Sequence, residues 1–258
     1  MGKGKLDIIS DLKKLGICPG DKVLMHSSYK SLGTVDGGID TFLDALMELL
    51  GPDGTLMLPT FTYDYVTLSN PVFDIRYTMS NVGYTTEVFR KKPGVVRSLH
   101  PTHSLAVWGK DKEKYIKDHH DDAVEVGTHS PIIKLKDNNG KILMVGCGIT
   151  HNTMIHGAEI HMNVPYIFTF DYSLPEYHRE YACIDENDCI HRKVFYHEFI
   201  GKAGWYQNYG RLANLMKVEM GHILEAESYV FDAEKTWNTV CGKMKDDPYY
   251  FVTREKLF

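Results

Sequence analysis

Three short runs of this chain hold residue types that can move a proton or steady a developing negative charge. They are His26-Ser27-Ser28, His100-Pro101-Thr102-His103-Ser104, and Asn152-Thr153-x-x-His156-x-x-Glu159. Each supplies an imidazole, which exchanges protons near neutral pH, or hydroxyls and backbone amides that suit a phosphate or carbonyl oxygen. In the third run a base and a carboxylate stand three residues apart, so a helix carries both on one face. A lone histidine is more often a hydrogen-bonded structural group; three clusters that converge say more than any one alone.

Whether they converge depends on the elements that flank them. Lys141 to Val145 reads as a buried strand that stops at Gly146 and Gly148 and restarts as the helix bearing His156 and Glu159. Corners of that kind are where open α/β sheets place their chemistry. Val23 to Met25 is a second buried strand, running into His26. A helix from Ile39 to Leu50, with Phe42, Leu43 and Leu46 on one face, leads to a third strand at Thr55–Leu58, a strand–helix–strand unit that implies a parallel sheet. A short strand from Leu105 to Trp108 follows the second run. If these strands are neighbours in a parallel sheet, the three clusters meet along one edge.

Further helices are expected over residues 6–15, 82–92 and 112–119, with another from Ser130-Pro131 to Leu135, its proline at the first helical position. Thr60 to Asn81 has no period, yet Phe61, Tyr63, Tyr65, Phe73 and Tyr77 argue for a functional loop rather than disorder. Beyond Pro165, residues 167–170, 181–184 and 192–199 read as strands of a meander, followed by helices near 210–218 and 232–243. The expected fold is α/β: an αβα-type sandwich with a largely parallel central sheet and a C-terminal β-meander/helical appendage. Residues 1–258 are read as one domain, with a core at 6–165 and the appendage from about 166 to 258.

Composition narrows the function classes. Of 258 residues, 43% are apolar and 24% charged, and the net charge of -5 gives no nucleic-acid footprint. No apolar run reaches the ~20 residues of a membrane span, and the first residues lack a signal-peptide core. Gly2 is followed by Leu at position six, which is wrong for myristoylation. Five scattered cysteines suit reduced thiols, so a cytoplasmic location is expected. Oligomeric state is left open, a homo-oligomer included.

Taken in order, HSSYKSLG (26–33), VDGG (35–38), GPDGTLMLPTFT (51–62), PVFD (71–74), MSNVG (79–83), RSLHPTHSLAVWG (97–109), and NTMIHGAE with NVP (152–165) resemble the aminoglycoside 3-N-acetyltransferase family. That resemblance implies an αβα-type fold and transfer of an acyl group from coenzyme A to a primary amine of an amino sugar, with no metal. It implies His156 as general base, with Glu159 or another carboxylate orienting its ring. It assigns acyl-CoA to His26, Ser27, Ser28, Tyr29, Lys30, Ser31, Gly33 and Val35 on one side. Thr102, His103 and Ser104 complete the cofactor side, with His103 as second-choice base and His100 structural. Phe61, Tyr63, Asp74, Glu87, Asn152 and Thr153 belong to the acceptor.

The acceptor is read as a nucleotide-linked amino sugar or an aminoglycoside antibiotic, the latter being the family's own resistance activity. Arg179, His191, Arg192 and Lys193 on the 177–197 segment suit a diphosphate, and Tyr166, Phe168, Phe170 and Tyr172 could stack on a base or sugar. Three other readings compete. Cys147, between two glycines at a strand end, could carry an acyl-enzyme. His151, His156, Glu159 and His161 could be ligands of a metal hydrolase, although a five-residue spacing of histidines diverges on a helix. A non-catalytic sugar-binding protein would leave His156 without a task. Outside the metal reading, His151 and His161 are polar residues at the two ends of a helix.

Overall fold

The computed structural model describes residues 3–168, 178–196 and 204–255. In chain order the elements are α1 (Lys5–Lys14), β1 (Lys22–Ser27), α2 (Gly38–Leu50), β2 (Thr55–Pro59), β3 (Val72–Asp74), α3 (Tyr84–Phe89), β4 (Val96–Arg97), β5 (Leu105–Gly109), α4 (Lys112–Ile116), α5 (Pro131–Lys136) and β6 (Lys141–Val145). The rest comprises α6 (Thr153–Met162), β7 (His178–Ile184), β8 (Ile190–Tyr196), β9 (Tyr206–Gln207), β10 (Glu219–Ile223), β11 (Ala226–Asp232), α7 (Ala233–Asp246) and β12 (Val252–Thr253).

Seven strands form the central sheet in the order β10-β11-β6-β1-β2-β5-β4. Its centre, β6-β1-β2, is parallel, as the strand–helix–strand spacing requires. Successive side chains of these strands point to opposite faces and feed two separate cores. Leu24, Met57, Ile142 and Met144 pack against α5, α6 and α7 through Ile132, Ile155 and Trp237. Val23, Met25, Leu58, Leu143 and Val145 pack against α1 and α2 through Leu12, Phe42 and Leu46. Strands buried on both faces flanked by amphipathic helices make the αβα sandwich.

Two features depart from the expected plan. The strand at Leu105–Gly109 is not a parallel neighbour: β5 runs antiparallel to β2, with Pro59 opposite Leu105. The cluster at 100–104 precedes its strand, so a parallel β5 would have put it at the far edge; reversal brings it to the edge where β1, β2 and β6 end. The pairing continues past β2, with Thr60 N–H donating to the Ser104 carbonyl at 2.8 Å and Thr62 N–H to that of Thr102 at 2.9 Å. The second departure is C-terminal. The helix expected near 210–218 is a 3-10 turn at Tyr209–Asn214, and the unforeseen hairpin β10–β11 joins the main sheet, β11 pairing antiparallel with β6. Its alternation of buried and open residues in AESYVFD is the period of a half-covered strand, and Asp232 ends it by accepting from Lys235 N–H to cap α7.

The helices expected at 82–92 and 112–119 are shorter than their patterns, and Ser130 caps α5 through Ile132 N–H as expected. Ile167 and Phe168 lie in a bend after α6, Phe168 packed against the core, in place of the expected strand; residues 169 and 170, with Tyr172, lie outside the described residues, as do Tyr177, His197, the expected extension to Phe199 and the side chain of Arg179. β7 and β8 form the expected hairpin, and β3 adds to it in parallel, so the aromatic loop owns a small three-stranded sheet. Val66, Phe73, Tyr181 and Phe195 are its core.

Arg97, 7% exposed, ties the two sheets together. Its Nε donates to Thr60 Oγ1 and Ser104 Oγ, its other nitrogens to the Thr60, Ile75 and Thr78 carbonyls at 2.6–3.2 Å, and Phe73 packs under the guanidinium.

Candidate active site

At the carboxyl edge of the parallel strands the chain encloses a cavity of about 740 Å³, in the range of sites that bury a drug-sized ligand. Segments from along much of the chain wall it. β1 ends there with His26 and Ser27, and β2 with Pro59; the aromatic loop supplies Phe61, Tyr63 and residues 66–69. His103 comes from the cluster before β5, and Cys147, Thr150, His151, Thr153 and His156 from the corner after β6. Gln207 and Tyr209 close it from the C-terminal part.

The corner is shaped by glycine. Gly146 and Gly148 both hold positive φ (62° and 70°), and a Cβ on Gly146 would stand 1.6 Å from Ser31 Oγ. Only glycine lets the chain leave β6 in that direction with the 29–32 turn so close. Asn152 then caps α6, its Oδ1 accepting from Met154 N–H at 3.1 Å. One helical turn later His156 reaches the cavity, and Glu159, on the same face, lies fully buried behind it with Oε2 3.2 Å from His156 Nδ1.

Glu159 has two further donors. Tyr166 O–H donates to Oε1 at 2.8 Å and Tyr209 O–H to Oε2 at 2.5 Å. Burial pushes the carboxyl above its ordinary range, while His156 and the two phenols pull it back. A carboxylate that accepts from Nδ1 favours the imidazole tautomer that carries its proton on that atom.

The other histidines divide sharply. His103 stands beside His156, ring centroids 6.3 Å apart, sits at 4.3 Å from Phe61, and has its Nδ1 3.0 Å from Thr102 Oγ1. His100 is structural, as expected: its Nδ1 accepts from the His103 N–H at 2.9 Å, which leaves Nε2 to donate to the Val124 carbonyl at 3.0 Å. His151 stands just before α6, as expected, and also lines the cavity, with Nδ1 on the Cys147 carbonyl at 2.7 Å. His161 packs on Trp237 instead, 5.2 Å between centroids. The four potential metal ligands of this stretch therefore do not converge, and no cluster of three or more such side chains occurs among the described residues.

His26, with Nε2 3.3 Å from Thr153 Oγ1, is pushed down to about 3 by burial and by His151. The folded protein thus keeps it neutral while the unfolded chain protonates it near 6.5. Its contribution to stability is full above that value and lost as pH falls toward 3, at about 1.4 kcal/mol per pH unit. Denaturant midpoints measured from about pH 7 to 5 should fall, and fall less steeply in His26→Gln; equal slopes would show His26 is not held neutral. His119, buried and likewise lowered by burial, adds to the slope in both proteins.

Several expected site residues are placed elsewhere. Ser104 is buried, its hydroxyl engaged with Thr60 and Arg97, and Thr102 is 1% exposed behind His103. Asp74 accepts from Arg76 and Tyr77 within its own turn, and Glu87 from Arg90, Lys91 and Ser80 N–H. Its neighbour Thr86 lines the cavity instead. Asn152 serves as the helix cap. Ser28, Tyr29, Lys30, Ser31, Gly33 and Val35 lie in or beside the 3-10 turn after β1, off the cavity wall. There Ser31 Oγ donates to the Ser28 carbonyl at 2.6 Å, Tyr29 packs edge-on to Tyr84, Gly33 sits under Glu225 and Val35 is in the core. The sequence reading missed Tyr166 and Tyr209 as partners of Glu159. Tyr166 had a signal, because Asn163 in the left-handed region turns the chain back toward Glu159; Tyr209, fifty residues from its partner, had none.

A model of the aminoglycoside 3-N-acetyltransferase family matches residues 24–245. The chain belongs to that family. The SPbeta prophage-derived aminoglycoside N(3')-acetyltransferase-like protein YokD of Bacillus subtilis is 32% identical over 184 residues, covering 63% of this chain and 66% of YokD. Aminoglycoside N(3)-acetyltransferase IV of Salmonella sp. is 32% identical over 63% of this chain and 60% of its own. The chain thus spans less than two thirds of either relative. Aminoglycoside N(3)-acetyltransferase IX of Micromonospora chalcea aligns more fully, at 27% identity over 88% of both chains. Among solved structures, a histidine-to-alanine mutant of the acetyltransferase AAC(3)-IVa in complex with a gentamicin superposes with a TM-score of 0.80 at 24% identity, covering 97% of this chain and 92% of that one. AAC-IIIb with CoASH gives 0.79 at 22%, covering 95% and 97%. At these identities the superpositions establish the family's fold for this acetyltransferase-family chain.

Proposed function

We propose that this protein transfers an acetyl group from acetyl-CoA to an amine of an aminoglycoside. The observation that carries the reading is the buried Glu159 behind His156 at the wall of the large cavity. Family membership supports it, as do the CoASH held by AAC-IIIb and the gentamicin held by AAC(3)-IVa. The neutral amine attacks the thioester carbonyl; the C–N bond forms, His156 Nε2 takes the amine proton, and the C–S bond breaks to release the coenzyme A thiolate. Glu159 stabilises the imidazolium that results.

The nucleotide-linked amino sugar fits less well. The hairpin cations that suited a diphosphate have partners of their own: His191 with Asp185 at 2.8 Å, Arg192 with Glu180 at 3.0 Å, and Lys193 with the His120 carbonyl. None of these three lines the cavity, whereas Glu125 does, a carboxylate suited to a cationic acceptor. Cys147 lies on the wall, but burial pushes its thiol up to about 11, away from the thiolate an acyl-enzyme needs.

Thiol release from acetyl-CoA, screened against gentamicin, apramycin and a uridine-diphosphate amino sugar, tests the reading. Release with an aminoglycoside and retained in Cys147→Ala is expected. Release with the nucleotide sugar alone, or its loss in Cys147→Ala, would overturn it.

A further inference from the structure

The general base has a carboxylate behind it, and that carboxylate has a support of its own. Glu159 is completely buried. A carboxylate in such a place tends to take up a proton unless donors satisfy it. Three do so, and they are unequally placed: Tyr166 reaches Oε1, whereas Tyr209 and His156 share Oε2. A phenol brought to a carboxylate has one hydrogen to give, so both contacts favour an ionised Glu159. Were Glu159 neutral, its own proton could go to His156 Nδ1, which would then act as acceptor. The ring proton would move to Nε2 and the cavity would face no base.

Tyr209 also comes from far away in the chain and is anchored there. Asn208 N–H donates to the Phe251 carbonyl and an Arg211 guanidinium nitrogen to the Tyr250 carbonyl, each at 2.7 Å, while β9 pairs with β12. Tyr166 is buttressed by Trp205 and Tyr249. Among the described residues, the cavity wall that His156 reaches also carries the titratable side chains of His26, Tyr63, His103, Glu125, Cys147 and His151. From α5 and α7, packed on α6, the same core receives apolar side chains, Ile132, Ile133, Trp237 and Val240.

We propose that Tyr209, with Tyr166 beside it, is a positioning residue of the transfer reaction: its hydroxyl holds the Glu159 oxygen that faces His156 and so decides which ring nitrogen keeps the proton. The proposal rests on the acetyl-transfer reading. It assigns the C-terminal segment a task in the chemistry that is carried out through Glu159.

The test uses Tyr209→Phe and Tyr166→Phe in the full chain, with two readouts. The first is the pH profile of kcat and KM for thiol release from acetyl-CoA with an aminoglycoside. The second is a nitrogen-15 NMR titration of the His156 ring without substrates. A carboxylate that loses a donor binds the shared proton more tightly. Tyr209→Phe should therefore lower kcat roughly tenfold at about pH 7, leave KM near normal and move the acid limb upward by about half a unit or more. The His156 titration should move the same way, with a smaller change in Tyr166→Phe, whose hydroxyl serves the other oxygen. An unchanged His156 titration in folded Tyr209→Phe would overturn the proposal. If wild-type protein releases no thiol with any aminoglycoside, the functional reading fails, while the NMR titration still decides the role of Tyr209. Should Tyr209→Phe fail to fold, Arg211→Met, which loosens the same segment, is read by the same titration and is expected to shift it in the same direction; no shift would overturn the proposal.

Discussion

His156→Ala should lower turnover with acetyl-CoA and an aminoglycoside by roughly 10²–10⁴-fold, the usual worth of a positioned general base. An amine that attacks a thioester becomes a stronger acid as the C–N bond forms, and its proton needs an acceptor at the cavity wall. His156 is the residue there whose second nitrogen is tied to a buried carboxylate. KM for acetyl-CoA should change little, because the remaining wall stays in place, so the loss falls on kcat. Glu159→Gln should cost less than His156→Ala, since it disturbs the tautomer and leaves the ring. Thiol release followed against time measures both. Near-normal activity in His156→Ala would shift the role to His103, whose ring is 6.3 Å away.

The largest effect on stability is expected at Arg97. Its guanidinium is buried with five neutral acceptors and, among the described residues, no carboxylate in contact, and burial lowers it to about 9, which still leaves it charged at neutral pH. Arg97→Met would keep the apolar stem and leave the Ile75 and Thr78 carbonyls without this donor, while Thr60 and Ser104 keep only the bonds between themselves. Each unmet buried polar group costs about 1–3 kcal/mol and partial relaxation recovers some of it, so a loss of roughly 3–5 kcal/mol is expected. Arg97→Lys should recover little, because a single ammonium cannot span five acceptors in a fixed fork. Denaturant unfolding of the three proteins measures this; a loss below about 1 kcal/mol in Arg97→Met would show that the two sheets are held together by other contacts.

How much of this was legible in the sequence can be argued residue by residue. The parallel centre was legible because Val23–Met25, Thr55–Leu58 and Lys141–Val145 are continuous apolar runs separated by a helix and by glycine turns, and local pattern fixes such units. The His156–Glu159 pair was legible because helical spacing alone places it. The reversed direction of β5 was not, since strand direction depends on what pairs across space, and Leu105–Trp108 reads the same either way. Ser104 and Glu87 were misplaced for a related reason. Polar residues next to a site look alike in sequence whether they face the cavity or a buried arginine, and Arg97 and Arg90 claim these two. Tyr209 was illegible because nothing local marks a phenol whose partner is fifty residues away. The resemblance to a known family pointed to segments that border the cavity and could not separate wall from support.

The cavity has two kinds of wall, and the difference bears on how such a protein can change over generations. One side is sheet: Ser27 and Pro59 are fixed by ladder register, and a substitution that moves them disturbs both cores. The other kind, residues 61–69, is an irregular loop in which Tyr63, Tyr65 and Leu68 are exposed and whose turn is closed locally by Thr67 and Asn70. Loops of that sort tolerate replacement and insertion at small cost to the fold. On the proposed reading, mutation can rewrite the surface that meets the acceptor while the His156–Glu159 pair stays untouched. Under that proposal, a lineage built on this scaffold can diversify its choice of amine without having to reinvent the transfer step.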